Sequence, residues 1–213
     1  MNKIILHPYP VELETTLSTR DGLKLRVRPI RPDDADAEQA FVSGLSEETR
    51  YRRFMNQMHE LTPSMLARFT QVDYDRELAL VVLDGRSRPH RIVGVARYVA
   101  DPDGRSAEFA VVVADELQGN GVGYGLMGLL IAAARRRGLE RLVGTVLATN
   151  APMLKLMAAL GFQARPDPGD REQVIVTLEL DGGRKSGKGE KGSVETGPRC
   201  YVQCAGTERR RSS

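Results

Sequence analysis

Cysteine is nearly absent from this chain of 213 residues, and its two copies, Cys200 and Cys204, lie close to the C-terminus. Residues 1–180 therefore offer no thiolate for covalent catalysis, and the sequence gives no sign of an oxidising compartment. The two cysteines have no histidine after them, and the three histidines are scattered, so neither set has the spacing of a metal site. The sequence predicts no bound metal.

Long apolar runs are also missing. The longest, residues 126–134, has nine residues and includes a glycine, whereas a helix that spans a membrane needs about 20. The N-terminus does not resemble a signal peptide, because Lys3 is its one early cation and the short apolar stretch ends at His7. We therefore expect a cytoplasmic protein with no membrane segment.

The net charge of +3 comes from the C-terminal end of the chain. Residues 181–213 carry +4, which leaves −1 for residues 1–180. A nearly neutral body gives no electrostatic reason to expect nucleic-acid binding by the folded domain. Residues 181–213 are rich in Gly, Lys and Ser, which bury too little apolar surface to fold, so they are predicted to form a disordered basic tail.

The apolar patterning of the remaining chain predicts an α/β domain over residues 21–180, preceded by an extended lead-in over residues 1–20. The predicted strands cover residues 23–28, 78–83, 91–99, 107–113, 141–147 and 174–180. The predicted helices cover residues 33–45, 46–57, 62–69, 121–137 and 150–160. Pro63, Asn150 and the glycines at 138 and 161 suit helix starts and ends.

A glycine-rich turn, residues 118–123, lies between the strand at 107–113 and the long helix that follows. Its sequence is Gln-Gly-Asn-Gly-Val-Gly. Glycines allow the backbone N–H groups to approach a ligand closely, and a helix N-terminus carries about half a positive charge. A strand, a glycine turn and a helix in this order indicate a site for a phosphorylated ligand.

Two nucleotide-binding motifs also contain closely spaced glycines, and neither fits this turn well. A P-loop requires Gly-Lys-Ser/Thr after the glycines, and this chain has Gly-Tyr-Gly-Leu. A dinucleotide fingerprint can be found at Gly123, Gly125 and Gly128, but these lie inside the helix pattern and no ribose-binding acid ends the next strand. A purely structural turn is the remaining alternative to the phosphate site.

Residues 107–126 and 150–162 resemble the GNAT N-acetyltransferase superfamily, whose Gln/Arg-x-x-Gly-x-Gly/Ala turn binds the pyrophosphate of acetyl-CoA. Further matches look like the acetyltransferase domain of bacterial protein-lysine acetyltransferases, at residues 7–10, 27–35, 51–54 and 73–77. That domain is often joined to an acyl-CoA synthetase-like region, which this sequence lacks. The resemblance implies a mixed, mostly antiparallel central sheet, flanked by helices and splayed near its centre.

The same resemblance implies a site for acetyl-CoA as co-substrate. The pyrophosphate would be bound by the turn and the residue after it: Gln118, Gly119, Asn120, Gly121, Val122, Gly123 and Tyr124. The backbone of the preceding strand would bind the pantetheine arm: Val111, Val112 and Val113. Asn150 would lie near the pantetheine or the thioester, although capping the next helix is an alternative role that is compatible with this one.

Glu108 is the candidate general base. A lysine amine has a pKa of about 10.4, so its deprotonation at pH 7 costs roughly 4.6 kcal/mol, and a base beside the acceptor lowers that burden. The resembling enzymes place their base glutamate in a similar Ala-Glu-Phe/Val-Ala context. A solvated strand residue is the alternative role for Glu108, and Glu77, expected in a loop near the acceptor entrance, is the reserve candidate.

The sequence departs from the family at Met157, where many members have a tyrosine that protonates the leaving thiolate. Methionine donates no proton, and coenzyme A is a good leaving group without one. We expect Met157, with Met153 and Leu156, to pack in the core. The predicted reaction is direct acetyl transfer to a protein lysine, with an acyl-CoA synthetase as one candidate acceptor; a small-molecule amine acetyltransferase and a non-catalytic acetyl-CoA sensor are the alternatives.

Overall fold

A computed structural model describes residues 7–86 and 90–180 of the chain. Eight strands lie in this described part: β1 (Thr15–Ser18), β2 (Lys24–Pro29), β3 (Glu77–Asp84), β4 (Arg91–Ala100), β5 (Ser106–Val113), β6 (Arg141–Leu147), β7 (Gln163–Asp167) and β8 (Asp170–Glu179). Five α-helices accompany them within the same residues: α1 (Ala35–Gly44), α2 (Glu47–Phe54), α3 (Pro63–Thr70), α4 (Val122–Arg137) and α5 (Ala151–Ala159).

The strands form one sheet in the order β1-β2-β3-β4-β5-β6-β8-β7. Every neighbouring pair is antiparallel except β5 and β6, which run parallel. This arrangement confirms the predicted mixed, mostly antiparallel sheet flanked by helices.

The sheet splits between β5 and β6. Their parallel pairing covers three residue pairs and ends at Glu108 and Val143. Beyond that point the Phe109 ring lies against Gly144 of β6, where a Cβ would be 2.6 Å from the ring. Phe109 also packs on Phe162, with the ring centroids 5.0 Å apart. The predicted splay is therefore present, and the ring of Phe109 packs where the two strands separate.

Helices cover both faces of the central strands. On one face the Arg97 guanidinium of β4 donates a hydrogen bond of 2.5 Å to the Phe69 carbonyl of α3. On the other face α4 contacts β3, β4 and β5, and buries Leu126, Met127 and Leu130 completely. Because both faces are covered, seven of the eight residues of β3 are buried, which explains the continuous apolar run in its sequence.

Helix ends follow the capping rules that the sequence indicates. The side chains of Ser46, Thr62 and Asn150 each accept a hydrogen bond from the backbone N–H three residues later. Gly138 ends α4 in the left-handed conformation, directly after three arginines that suit the negative helix end.

The sequence analysis did not predict two of the strands. Thr15–Ser18, within the predicted lead-in, pairs with β2. Gln163–Asp167 forms the edge strand β7, and its Pro166 explains why the pattern did not indicate a strand. Glu77, expected in a loop, is instead the first residue of β3. The predicted tail over residues 181–213 lies outside the described residues.

Candidate active site

A cleft of about 490 Å³ opens between β5, the C-terminal half of α2, the N-terminus of α4 and one face of α5. The lining residues include nine that the sequence predicted: Val111, Val112, Val113, Gln118, Gly119, Gly121, Gly123, Tyr124 and Asn150. The structure therefore brings together residues from three separate segments. Glu108, Asn120 and Val122 are not among the residues that line the cleft.

The glycine turn has a backbone that other residues adopt rarely. Gly119 and Gly121 have φ angles of 77° and 87°, in the left-handed region that favours glycine. Gly121 immediately precedes α4, where the first N–H groups of a helix have no carbonyl partner within it. Val122 is buried through its side chain, so its contribution to ligand binding would come from its N–H group.

Gln118 joins three elements through its side-chain amide. Its Nε2 donates hydrogen bonds to the Val113 carbonyl at 3.0 Å and to Thr49 Oγ1 at 3.2 Å. Thr49 in turn donates to Asp115 Oδ1 at 2.6 Å, and the N–H of Ser46 donates to Asp115 Oδ2 at 2.8 Å. The Gln118 side chain thus fixes α2 against the end of β5, while its backbone borders the cleft.

The edge of β5 beside the cleft has backbone groups that point away from β4. The Ala114 N–H donates to the Val93 carbonyl of β4. Antiparallel alternation then directs the backbone groups of Val111 and the N–H of Val113 away from β4, toward the side that β6 has left. The Val113 carbonyl accepts from Gln118, and the backbone of Val112 faces β4, so neither is open to a ligand. A ligand lying in the cleft can therefore bond to β5 as an additional strand would.

Asn150 caps α5 and also borders the cleft. It is buried, its Oδ1 accepts a hydrogen bond of 3.2 Å from the Met153 N–H, and its side chain borders the cleft. Met157 lies in the core, as expected. The expectation for Met153 and Leu156 is wrong, because both line the cleft; α5 turns one apolar face toward the ligand and another toward the core.

Glu108 sits where β5 and β6 separate, three residues before Val111. At about 3.3 Å per strand residue, it lies about 10 Å along β5 from the part of the strand that lines the cleft. Its side chain is half-buried on the face of the sheet that carries α2 and α3. Burial raises the pKa of Glu108 to about 7, and the positive charges of Arg53 and Arg68 oppose this effect.

Arg53 links the surroundings of Glu108 to the cleft. It lines the cleft, and its guanidinium carbon lies 4.9 Å from the centre of the Phe54 ring. Phe54 stacks on Phe69 with centroids 6.4 Å apart, and the Arg97 guanidinium carbon lies 4.4 Å from the centre of the Phe69 ring. This Arg53–Phe54–Phe69–Arg97 stack fastens the end of α2 to β4.

Glu38 of α1 is a second buried acid at this end of the sheet. It is 4% exposed, and its Oε2 has no hydrogen-bond partner among the described residues. Burial raises its pKa to about 6, against the attraction of Arg97 and Arg53, and burial also lowers the pKa of Arg97 to about 10. This end of the sheet thus holds a group of acids and arginines, of which Glu38 and Arg97 are buried and Glu108 and Arg53 are half-buried.

The charged side chains that line the cleft are all positive among the described residues. Its lining includes Arg20, Arg52, Arg53 and Lys155, and among the described residues it includes no Asp or Glu. Sequence reasoning did not assign these four cations to the site, although Arg52 and Arg53 lie in one of the motifs that carry the family resemblance. Four cations, a helix N-terminus and an open strand edge suit an extended polyanionic ligand such as coenzyme A.

Membrane-spanning helices and metal clusters are both absent from the described part of the chain. No helix in residues 7–86 and 90–180 is long and apolar enough to cross a membrane. No group of three or more His, Cys, Asp or Glu side chains in the same ranges could hold a metal ion.

A split sheet with a free strand edge and a glycine turn at a helix N-terminus defines an acyltransferase that uses acetyl-CoA. Comparison with family models matches residues 43–162 to the acetyltransferase (GNAT) family. The chain belongs to this family, and it is an acetyl-CoA-dependent acetyltransferase.

Individual relatives agree with this assignment. An acetyltransferase of Pseudomonas aeruginosa is 37% identical over 163 residues, which cover 76% of this chain and 88% of the relative. Acetyltransferase Pat of Mycolicibacterium smegmatis is 34% identical over 176 residues, which cover 82% of this chain. The match spans 49% of Pat, so this chain corresponds to about half of that protein.

A similar solved structure is the GNAT domain of S. lividans PAT. Its superposition gives a TM-score of 0.75 with 30% sequence identity, and it covers 81% of this chain and 99% of that domain.

Proposed function

We propose that the protein transfers the acetyl group of acetyl-CoA to the ε-amine of a lysine on another protein, with Glu108 as the general base. The proposal rests chiefly on the position of Glu108, half-buried at the split of β5 and β6 on the strand that also lines the acetyl-CoA cleft. Its burial gives it a pKa of about 7, which suits a base that works near neutral pH.

The proposed reaction is a direct transfer. Glu108, as carboxylate, accepts a proton from the lysine ammonium, and the neutral nitrogen then attacks the thioester carbonyl carbon. A C–N bond forms, the C–S bond breaks, and the coenzyme A thiolate leaves with the electron pair of that bond. The attacking nitrogen releases its remaining extra proton to water as the amide forms. Met157 is buried and supplies no proton, so the thiolate takes its proton from water. No cysteine in residues 1–180 is available to carry the acetyl group first.

The residues of the cleft have matching roles in this proposal. The N–H groups of the glycine turn, including that of Val122, bind the pyrophosphate, whereas the Asn120 N–H donates to the Leu117 carbonyl at 3.4 Å. The open edge formed by Val111 and Val113 hydrogen-bonds to the pantetheine arm, and Asn150 contacts the arm near the thioester. Because β5 continues from this edge to Glu108, the strand aligns the thioester with the base.

A lysine acceptor is supported by charge and by resemblance. Glu108, Asp101 and Glu77 bring acidic groups to the same end of the sheet, which favours the approach of a cationic amine. The sequence resembles bacterial protein-lysine acetyltransferases, and its relatives include acetyltransferase Pat and the GNAT domain of S. lividans PAT. An acyl-CoA synthetase as acceptor and a cytoplasmic location stay predictions.

Isotopically labelled acetyl-CoA tests the acceptor. A cell lysate is treated with the purified protein, and labelled lysines are identified by mass spectrometry beside a sample treated with Glu108→Gln. We expect a few proteins to be labelled by the wild type and not by the mutant. Absence of protein labelling, with normal acetyl-CoA binding, would contradict a protein acceptor, and a screen of polyamines, aminoglycosides and amino acids would then identify a small amine.

A further inference from the structure

Arg20 lies over the N-terminus of α4, although it belongs to the distant turn between β1 and β2. Its Cγ and Nε are 3.7 and 4.0 Å from the position that a Cβ on Gly121 would occupy. Its side chain is one of those that line the cleft. The N-terminal hairpin therefore places the positively charged Arg20 side chain next to the glycine turn.

The turn that carries Arg20 is held firmly in place. The Arg20 N–H donates to the Asn120 carbonyl at 3.1 Å, which bonds the hairpin to the glycine turn. Thr19 is buried, and its Oγ1 accepts a hydrogen bond of 2.9 Å from the Leu23 N–H. Leu17 packs against Gly125 so closely that a Cβ there would lie 2.9 Å from its Cδ2. The backbone position of Arg20 is thus set by the fold.

The charge of Arg20 has no counterpart among the described residues. No hydrogen bond or ion pair joins its guanidinium to another residue in those ranges, whereas Arg26 of the same hairpin pairs with Glu14 at 2.6 Å. Arg20 also faces the partial positive charge of the α4 N-terminus. Bringing two positive groups together is unfavourable unless an anion lies between them.

We propose that Arg20 binds a phosphate group of acetyl-CoA, and that the β1–β2 hairpin is therefore part of the cofactor site. Arg20 lies outside residues 43–162, the part of the chain that matches the family model. The phosphate is either in the pyrophosphate or at the 3′ position of the ribose. This proposal depends on acetyl-CoA binding and not on the role of Glu108 or on the acceptor.

Calorimetric titration of the purified protein tests this assignment. Arg20→Gln removes the charge, and Arg20→Lys keeps it. Arg165→Gln is the matched control, because Arg165 is exposed on β7, lies outside the cleft and has no partner among the described residues. Each variant is titrated with acetyl-CoA, 3′-dephospho-acetyl-CoA and acetyl-pantetheine.

We expect Arg20→Gln to weaken acetyl-CoA binding roughly 10- to 100-fold, as loss of a charge-assisted hydrogen bond does. Arg20→Lys should recover part of the affinity, and Arg165→Gln should match the wild type. A loss that disappears with the dephospho ligand assigns Arg20 to the 3′-phosphate, and one that persists assigns it to the pyrophosphate. Unchanged acetyl-CoA affinity in Arg20→Gln, or an equal loss with acetyl-pantetheine, would overturn the proposal.

Discussion

The two ends of β5 differ in how the protein builds them. At the C-terminal end, the glycine turn offers backbone N–H groups from one continuous stretch, held by the Gln118 amide and bordered by cations. At the Glu108 end, the site consists of charged side chains from α1, α2, α3, β4 and β5, of which Glu38 and Arg97 are buried. The phosphate end thus depends on local backbone geometry, whereas the base end depends on tertiary packing.

The largest expected effect is at the base end. Glu108→Gln should lower kcat by roughly 10²–10⁴-fold, because the neutral amide accepts no proton from the amine. Acetyl-CoA affinity should stay at the wild-type value, since Glu108 does not line the cleft. Labelled acetyl transfer and calorimetry measure the two quantities separately. Equal losses in both would show that the two ends are not independent.

Gly121→Ala tests the phosphate end by itself. An alanine at a φ of 87° is strained, which costs about 1–3 kcal/mol, and relaxation would misdirect the N–H groups of the turn. We expect acetyl-CoA affinity to fall roughly tenfold, with no change in the pH dependence of transfer. Gly128→Ala is the control, because Gly128 lies inside α4 with nothing within 4 Å of its Cβ position. Similar affinities for both variants would refute the role of the turn.

Arg53→Gln tests how the stack sets the ionisation of Glu108. The positive charge of Arg53 opposes the upward shift that burial imposes on the Glu108 pKa. Removing it should raise that pKa above 7, so the loss of activity on acidification begins at a higher pH and activity at pH 7 falls several-fold. Arg53→Lys keeps the charge and should retain the wild-type profile. An unchanged midpoint of the pH profile in Arg53→Gln would show that Arg53 does not influence the ionisation of Glu108.

Met157→Tyr has the smallest expected effect on catalysis. Met157 is 1% exposed and does not line the cleft, so a phenol there would not reach a leaving group. We expect an unchanged kcat and a loss of about 1–3 kcal/mol in the free energy of unfolding, measured by denaturant titration, because the larger ring overfills the core. Met157→Leu, which conserves volume, should be nearly neutral in both. A faster Met157→Tyr enzyme would show that a proton donor is missing.

Sequence reasoning succeeded where local structure depends on short patterns. The glycine turn, the caps at Asn150 and Gly138, and the strands β3 to β6 follow from local spacing, and the family resemblance supplies the splayed sheet. Sequence reasoning did not identify Arg20 as a site residue, because a contact between residues 20 and 121 depends on how α4 crosses the sheet. Nor did it find the stack that joins Arg97 to Arg53, which three elements form together.

The most direct test of the central claim is the pH dependence of labelled acetyl transfer to lysate proteins, for the wild type and Glu108→Gln. Reactions without enzyme correct for chemical acetylation, and saturating acetyl-CoA removes differences in binding. The Glu108 carboxylate is the active form, so wild-type transfer should decrease as the pH falls through about 7, the pKa of Glu108. The mutant should be slow throughout and lack this midpoint. A mutant with the wild-type rate and midpoint would contradict the assignment of Glu108 as the base.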